Sequence, residues 1–290
     1  MQLSLDSKYI TYYPPKTQLL KWIGNKQKFA KEITSFFPIE YKRYFEPFLG
    51  SGAVLATVAS KKGFGSDNFQ PLIDILKTLK NNPDELIDWY ESRRELINNG
   101  NKKEVYEMIK AKFNDNNNGA DFLFLSRTCY GGVIRFRKND GYMSTPCGAH
   151  NPIPVEGFRK RVYEWYNRTK GSEFDCLDYK EALSEVRKGD LVYCDPPYSH
   201  SQAILYGAQE FSFTELIGEI EKAKVKGAKI ALSIDGSKKS GKMLCDLKLP
   251  KNLFEREVFI TLGGSMLKRF QISGDTLINE EVSDRLLLTY

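Results

Sequence analysis

Histidine is scarce. The 290 residues hold two, His150 and His200, and neither has an obvious partner by spacing. This gives little support to histidine-rich metal centres or to Ser-His-Asp chemistry. Cysteine is hardly richer: Cys129, Cys147, Cys176, Cys194 and Cys245 are odd in number, scattered and never in C-x-x-C spacing. That pattern argues against a disulfide framework and against a structural zinc site, and a reducing cytoplasm is the expected compartment. Apolar runs long enough to span a bilayer are missing, and Met1 to Tyr9 lacks a signal-peptide apolar core, so no membrane association is expected. Internal repeats, low-complexity tracts and interdomain linkers are also absent.

What is present is ordinary in bulk and specific in detail. Hydrophobic residues make up 41% of a chain long enough to bury one large core, or a core with a substantial insertion. The net charge of +6 suits a polyanionic partner if the charge is concentrated. The apolar run Leu191-Val192-Tyr193-Cys194 reads as a buried strand, ended at once by Asp195-Pro196-Pro197-Tyr198. A carboxylate, a carbonyl without competing N–H groups and an aromatic face are thereby gathered at a strand's carboxyl end, where open α/β sheets bind ligands. Two acceptors beside a ring could hold a planar group bearing an NH2. A plain strand followed by a proline turn is the alternative.

Upstream, Leu20-Lys21-Trp22-Ile23-Gly24-Asn25-Lys26 precedes apolar residues at helical spacing, which predicts an amphipathic helix from Lys26 to Phe37. Trp22 taken alone reads more commonly as core packing. Next, Arg43 to Gly52 reads as a strand and a tight glycine turn, followed by a helix from Ala53 to Ala59. Gly50 and Gly52 let the chain turn sharply and a ligand approach the backbone. A lone Gly-x-Gly is a weak signal, strengthened here by Gly65-Ser66-Asp67-Asn68 at the end of a second strand. Asp67 is placed to accept both hydroxyls of a ribose. With neither the third glycine of a dinucleotide fingerprint nor a Walker lysine, a nucleoside without phosphate fits better.

From Gln70 to Thr169 the periods are helical, turns fall at Asn81-Asn82-Pro83 and Asn98 to Asn101, and Asp84 is a candidate cap. This region reads as a mainly helical insertion between the second and third sheet strands. Within it, Ser126 to Lys138 interleaves Arg127, Arg135, Arg137 and Lys138 with Tyr130, Phe136 and glycines, and Lys138 to Tyr142 carries a hairpin-turn signal. Basic residues neutralise phosphates, arginine can read guanine bidentately, and an aromatic can wedge into a base stack. A solvated basic hairpin is the competing reading.

The sheet pattern resumes with Glu173 to Leu177, ending at Asp178-Tyr179, then helix Lys180 to Arg187 and the Leu191 strand. Ser199 to Gln209 has the composition of a mobile loop over a site. Phe211 to Lys226 reads as helix and Ala228 to Ile234 as a buried strand. Phe254 to Thr261 and Arg285 to Tyr290 suit an antiparallel pair closing the sheet edge.

In order and spacing these motifs resemble the Dam-like, alpha-group adenine-specific DNA methyltransferases, over almost the whole chain. The resemblance implies a Rossmann-like α/β fold: a seven-stranded methyltransferase sheet with an inserted helical target-recognition subdomain bearing a β-hairpin. It divides the chain into a catalytic part, 1–75 with 171–290, and a recognition part, 76–170. The implied cofactor is S-adenosylmethionine, with no metal. Trp22 and Lys26 would help hold its amino-acid end, Phe48, Gly50 and Gly52 would admit the nucleoside, and Asp67 would bind the ribose. Asp178 and Tyr179 would contact its adenine, and Asp195 would lie beside the methionine moiety. The catalytic residues would be Asp195, Pro196, Pro197 and Tyr198, acting on a flipped adenine in double-stranded DNA.

Tyr130 and Arg135 match family positions that probe the base stack and contact guanine, with Arg127, Arg137 and Lys138 as further DNA-binding candidates. Ser126, Cys129 and Gly131 depart from the Asn, Gly and Asn common there, so GATC specificity is not carried over. A self-contained recognition region implies a monomer, and a cognate restriction endonuclease acting separately fits the same family. Rival readings are adenine methylation in structured RNA and a catalytically silent nucleic-acid-binding relative. A protein-glutamine methyltransferase would more usually carry Asn in place of Asp195.

Overall fold

The structure is a computed structural model describing residues 12–58, 63–197, 211–238, 243–244, 249–264 and 281–290. Tyr198, the stretch Ser199 to Gln209, Met1 to Tyr9, His200 and Cys245 lie outside the described residues.

The apolar runs pair into one sheet. Strands β1 (Tyr44–Glu46), β2 (Gly63–Asp67), β3 (Glu173–Cys176), β4 (Leu191–Cys194) and β5 (Lys229–Lys238) are mutually parallel. The short β6 (Met243–Leu244) pairs with β5. Strands β7 (Arg256–Gly264) and β8 (Glu281–Leu288) finish the sheet in the order β3-β2-β1-β4-β5-β8-β7. β8 runs antiparallel to both β5 and β7, as the edge reading predicts. Sequence order reverses between β1 and β4, which opens a crevice at their carboxyl ends.

Helices cover both faces. On one, α8 (Tyr179–Ser184) and α9 (Phe213–Val225) bury Leu183, Leu216 and Ile220 against Val192, Ile230 and Leu232. On the other, α1 (Ala30–Ser35) and α2 (Ala53–Val58) pack with the insertion, whose helices are α3 (Gln70–Asn81), α4 (Pro83–Asn98), α5 (Lys102–Asp115), α6 (Gly119–Thr128) and α7 (Val155–Thr169). Their apolar stripes, including Leu76, Tyr90, Phe113, Phe122 and Trp165, join Tyr44 and Leu55 in one continuous core. The insertion therefore leans on the sheet face, and the boundary drawn at residue 75 falls inside α3.

Two local expectations change. The helix predicted from Lys26 to Phe37 is split into a 3-10 turn at Lys26–Lys28, capped by Asn25, and the short α1. α4 is capped by Asn82, whose side chain accepts from Glu85 N, while Asp84 sits in the first turn. An amide oxygen before proline serves as cap, and the acid one step later favours the helix's positive end. No helix among the described residues is long and apolar enough to cross a membrane.

Candidate active site and nucleic-acid face

At the β1/β4 crevice lies a cavity of about 450 Å3, within the roughly 300–1,000 Å3 range of small-molecule sites. Trp22, Lys26, Phe48, Gly50, Asp67, Asp178, Tyr179, Asp195 and Pro197 all line it. Of the candidates from sequence, Gly52 and Pro196 do not. Pro196 is buried, and Gly52, at φ +68°, completes the turn by donating its N–H to Leu49 O at 2.8 Å.

The nucleoside-like end is built by backbone. Asp67 finishes β2 with Oδ2 accepting from Gly50 N at 3.0 Å and Oδ1 from Phe69 N at 3.1 Å. Burial raises its carboxyl to about 6, against the opposing pull of those N–H groups. Gly50 holds φ +48°, and a Cβ there would lie 2.9 Å from Trp22 Nε1, so glycine is required both for the turn and for the indole. Opposite, Phe48 and Tyr179 stack at 5.1 Å, and Phe211 meets both edge-on at 5.8 and 5.9 Å. Asp178 is exposed and caps α8 in a capping box with Glu181. The Tyr179 hydroxyl and Asn25 Nδ2 are buried with no hydrogen-bond partner.

The other end is charged. Lys26 Nζ lies 3.1 Å from Asp195 Oδ1 and 2.8 Å from Asp284 Oδ2. Burial alone would lower the lysine's pKa, but the two carboxylates outweigh it and hold it above its ordinary value. Beneath them, Glu46 accepts from the Tyr44 hydroxyl at 2.8 Å, and burial drives its carboxyl well above the usual range. Tyr193 and Ser233 hydroxyls bond at 2.9 Å. Sequence reasoning missed Asp284. The signal was an acid sharing strand parity with Leu286 and Leu288, all three buried, on a strand whose reversed direction brings its start to the crevice. Among the described residues no group of three or more His, Cys, Asp or Glu side chains could hold a metal ion.

The basic segment forms a loop on the insertion. Its neck is an isolated antiparallel bridge between Cys129 and Cys147, and its tip a second between Phe136 and Met143. The expected hairpin thus consists of single bridges rather than a continuous ladder. Gly131 and Gly132 turn the chain at φ +64° and +68°, and Gly132 fits against the Lys21 side chain, where a Cβ would lie at 3.1 Å. Buried Ile134 and Met143 anchor the loop, and Thr145 Oγ1 ties it by accepting from Arg135 N and donating to Val133 O. Phe136 packs edge-on against Phe69, itself a cavity-wall residue, at 5.6 Å. Recognition loop and cavity therefore share a wall.

Tyr130 is 51% exposed, and Arg135, Arg137 and Lys138 are exposed. Arg137 forks onto Asp140 at 3.0 and 2.6 Å and lies over the Tyr142 ring. Arg127 differs from these neighbours. It points inward, its Nη1 donating to Gln18 O and Leu19 O over the Phe158 ring, and burial lowers its pKa to about 10. It ties the chain before Trp22 to the insertion. Ser126, one of the departures from the family pattern, is fully buried and bonds to Leu123 O.

Comparison with known proteins agrees with this geometry. The profile of the D12 class N6 adenine-specific DNA methyltransferases matches residues 22–261. A type II methyltransferase of Methanocaldococcus jannaschii is 31% identical over 242 residues, covering 74% of this chain and 82% of the relative. The DNA adenine methylase of Vibrio cholerae is 29% identical over 185 residues, or 62% of this chain and 64% of the relative. The DNA N-6-adenine-methyltransferase of Escherichia phage P1 is 29% identical over 232 residues, 76% of this chain but 30% of the relative. The matched stretch thus spans just under two thirds of the Vibrio methylase's length. On this evidence the chain belongs to the family of D12 class N6 adenine-specific DNA methyltransferases.

Proposed function

We propose that the protein methylates the exocyclic N6 amine of adenine in double-stranded DNA, using S-adenosylmethionine, the donor its family implies. The observation carrying this reading is that Asp195 and Asp67 line one cavity, with a charged end and an aromatic, nucleoside-sized end. The residues fit such a donor. The orphaned Tyr179 hydroxyl and Asn25 Nδ2 want partners, and Asp67 brings a carboxylate to the cavity wall. In this assignment Asp67 would accept the ribose hydroxyls, Phe48, Tyr179 and Asp178 would border the donor's base, and Trp22 and Lys26 would bound the amino-acid end. When bound, the donor supplies a methyl group on a positively charged sulfur, electrophilic without further activation.

The protein's task is the nucleophile. Adenine N6 is poor because its lone pair is delocalised into the ring. Hydrogen bonds from that NH2 to the Asp195 carboxylate and the Pro196 carbonyl localise the lone pair and aim it, so positioning and fixed charge supply the rate. Pro197 stiffens the turn that holds both acceptors. N6 is unreachable inside a duplex, so the base is flipped out, with Tyr198 as the stacking surface. The surplus proton leaves N6 to water. On the neighbouring face, Tyr130 probes the base stack, Arg135 reads a base edge, and Arg137 and Lys138 contact phosphates. Residues 76–170 act as the recognition part, and one chain carries both functions, so a monomer suffices. A restriction endonuclease acting separately would be a natural companion, since the archaeal relative is named a type II methyltransferase.

Substituting Asp195 tests the assignment. Asp195→Ala should lower single-turnover methyl transfer by at least about 10²–10³-fold, the scale of losing one preorganised polar contact, with duplex affinity essentially intact. Transfer at the wild-type rate would refute it.

A further inference from the structure

We propose that Cys129 and Cys147, opposed across the neck of the basic loop, are a reversible redox pair: a small-molecule disulfide such as oxidised glutathione joins them and locks the neck. The inference goes beyond the methyl-transfer reading and holds whatever base the crevice modifies. Spacing in the sequence keeps all five cysteines apart, and folding brings these two together.

The neck is a single antiparallel bridge flanked by two hydrogen bonds, Tyr130 N to Pro146 O and Gly148 N to Thr128 O, both 2.8 Å. Those bonds belong to the residues before and after each cysteine, so Cys129 and Cys147 form a non-hydrogen-bonded pair. In such a pair the Cα atoms lie about 4.5 Å apart, at the near end of the roughly 4.4–6.8 Å that a disulfide spans. Gly148 allows this approach: a Cβ there would lie 2.7 Å from Cys129 O and 2.9 Å from Thr128 O. After burial, the two thiols are the main influences raising the pKa of the Tyr106 hydroxyl, as expected if they share one side of the bridge.

The two thiols are unequal. Cys147 is half-buried, whereas Cys129 is 6% exposed at the end of α6. Burial raises both, Cys129 to about 12; at Cys147 it is opposed by Lys102, Lys103 and Lys110 and reinforced by Glu107. Cys147 is therefore the thiol an oxidant meets first, and the reaction is slow at neutral pH. Only weak contacts are given up, from Cys129 Sγ to Ser126 O at 3.7 Å and from Cys147 Sγ to Gly148 O at 3.5 Å.

The chemistry is thiol–disulfide exchange. The Cys147 thiolate attacks one sulfur of oxidised glutathione, forming a mixed disulfide and releasing one glutathione thiolate. The Cys129 thiolate then attacks Cys147 Sγ, forming the Cys129–Cys147 bond and releasing the second. The protein pair gives up two electrons and two protons, which the two glutathione thiols take up. Neither cysteine lines the cavity, so the crevice is untouched. The bridge, which rested on two hydrogen bonds, can then no longer part, and Tyr130 beside it loses that freedom.

The test incubates the full chain with reduced and oxidised glutathione at fixed ratios, followed by peptide mapping, amide hydrogen exchange read by NMR, and thermal melting. Wild type should lose two thiol hydrogens, yield a peptide joining Cys129 to Cys147 and keep the other three of its five cysteines open to alkylation. Exchange at the Tyr130 and Gly148 amides should slow by at least about tenfold and melting should rise by about 2–6 °C, with S-adenosylmethionine affinity within about twofold. Dithiothreitol should reverse these changes. Cys129→Ser should stop at a glutathione adduct on Cys147, and Cys147→Ser should form neither adduct nor cross-link. Wild-type protein that carries glutathione on Cys147 without joining Cys129, or that joins either cysteine elsewhere, would overturn the inference. So would a cross-link that leaves exchange at Tyr130 and Gly148 unchanged. None of these results bears on methyl transfer, whose failure would show instead in the labelled nucleosides.

Discussion

The crevice and the recognition loop are built by opposite means. At the carboxyl ends of the strands, the inner acidic groups are tied in place: Asp67 by two backbone N–H groups, Asp195 and Asp284 by Lys26, and Glu46 by Tyr44. The loop between Cys129 and Cys147 is pinned by two isolated bridges, buried Ile134 and Met143 and the Thr145 hydroxyl, turns on positive-φ glycines and leaves Tyr130, Arg135 and Lys138 exposed. Chemistry rests on groups the sheet fixes in place. Sequence reading rests on side chains that can change without disturbing that sheet. The departures at Cys129 and Gly131 fall on this neck and turn, and Ser126 lies just before them.

Substitutions can break this comparison, the largest effect coming first from the crevice. Asp67→Asn should weaken S-adenosylmethionine binding by about 10- to 100-fold, the cost of a charge-assisted hydrogen bond, without altering duplex affinity. The same residue sets a pH dependence. Its carboxyl is raised to about 6, so protonation as pH falls through that value removes the acceptor, and cofactor affinity should decline below about pH 6. In Asp67→Asn that decline should vanish; calorimetry between pH 5 and 7.5 checks both. The sign for folding is opposite to that of a salt-bridged acid. A carboxyl raised in the folded state costs stability as pH rises from the unfolded value toward about 6.

Arg135→Ala should relax discrimination at one base position by about 5- to 100-fold, with S-adenosylmethionine affinity unchanged. Competition between duplexes differing at single positions reads this directly. A uniform loss across all duplexes would instead make Arg135 a phosphate contact. Thr145→Val is the smallest change, removing the hydroxyl that joins Val133 O and Arg135 N. It should loosen the loop, weakening DNA binding a few-fold and costing about 1 kcal/mol of stability, with transfer from the bound complex preserved.

The sheet was legible in the sequence because its strands are short apolar runs closed by glycine, proline or acid. Leu191–Cys194 ends where Asp195-Pro196-Pro197 predicts, and Asp67 closes β2. The order of motifs carried more than any one of them, because topology places the ends of β1, β2 and β4 together. What stayed hidden depended on side-chain direction and long-range pairing. Arg127 looked like its basic neighbours, yet its position on α6 turns it toward the carbonyls of Gln18 and Leu19. Asp284 was obscured by the apolar residues after it, and its meaning depends on Lys26, which is 258 residues away in the chain. The break after Lys28 was equally unreadable, since helical periodicity does not separate one helix from a 3-10 turn and a short α-helix.

The most direct test of the whole account is product identity. Incubation with methyl-labelled S-adenosylmethionine and, separately, duplex DNA and structured RNA, followed by nucleoside analysis, should yield N6-methyladenine in the DNA. Label confined to RNA, label on cytosine, or no labelled nucleoside at all would contradict it.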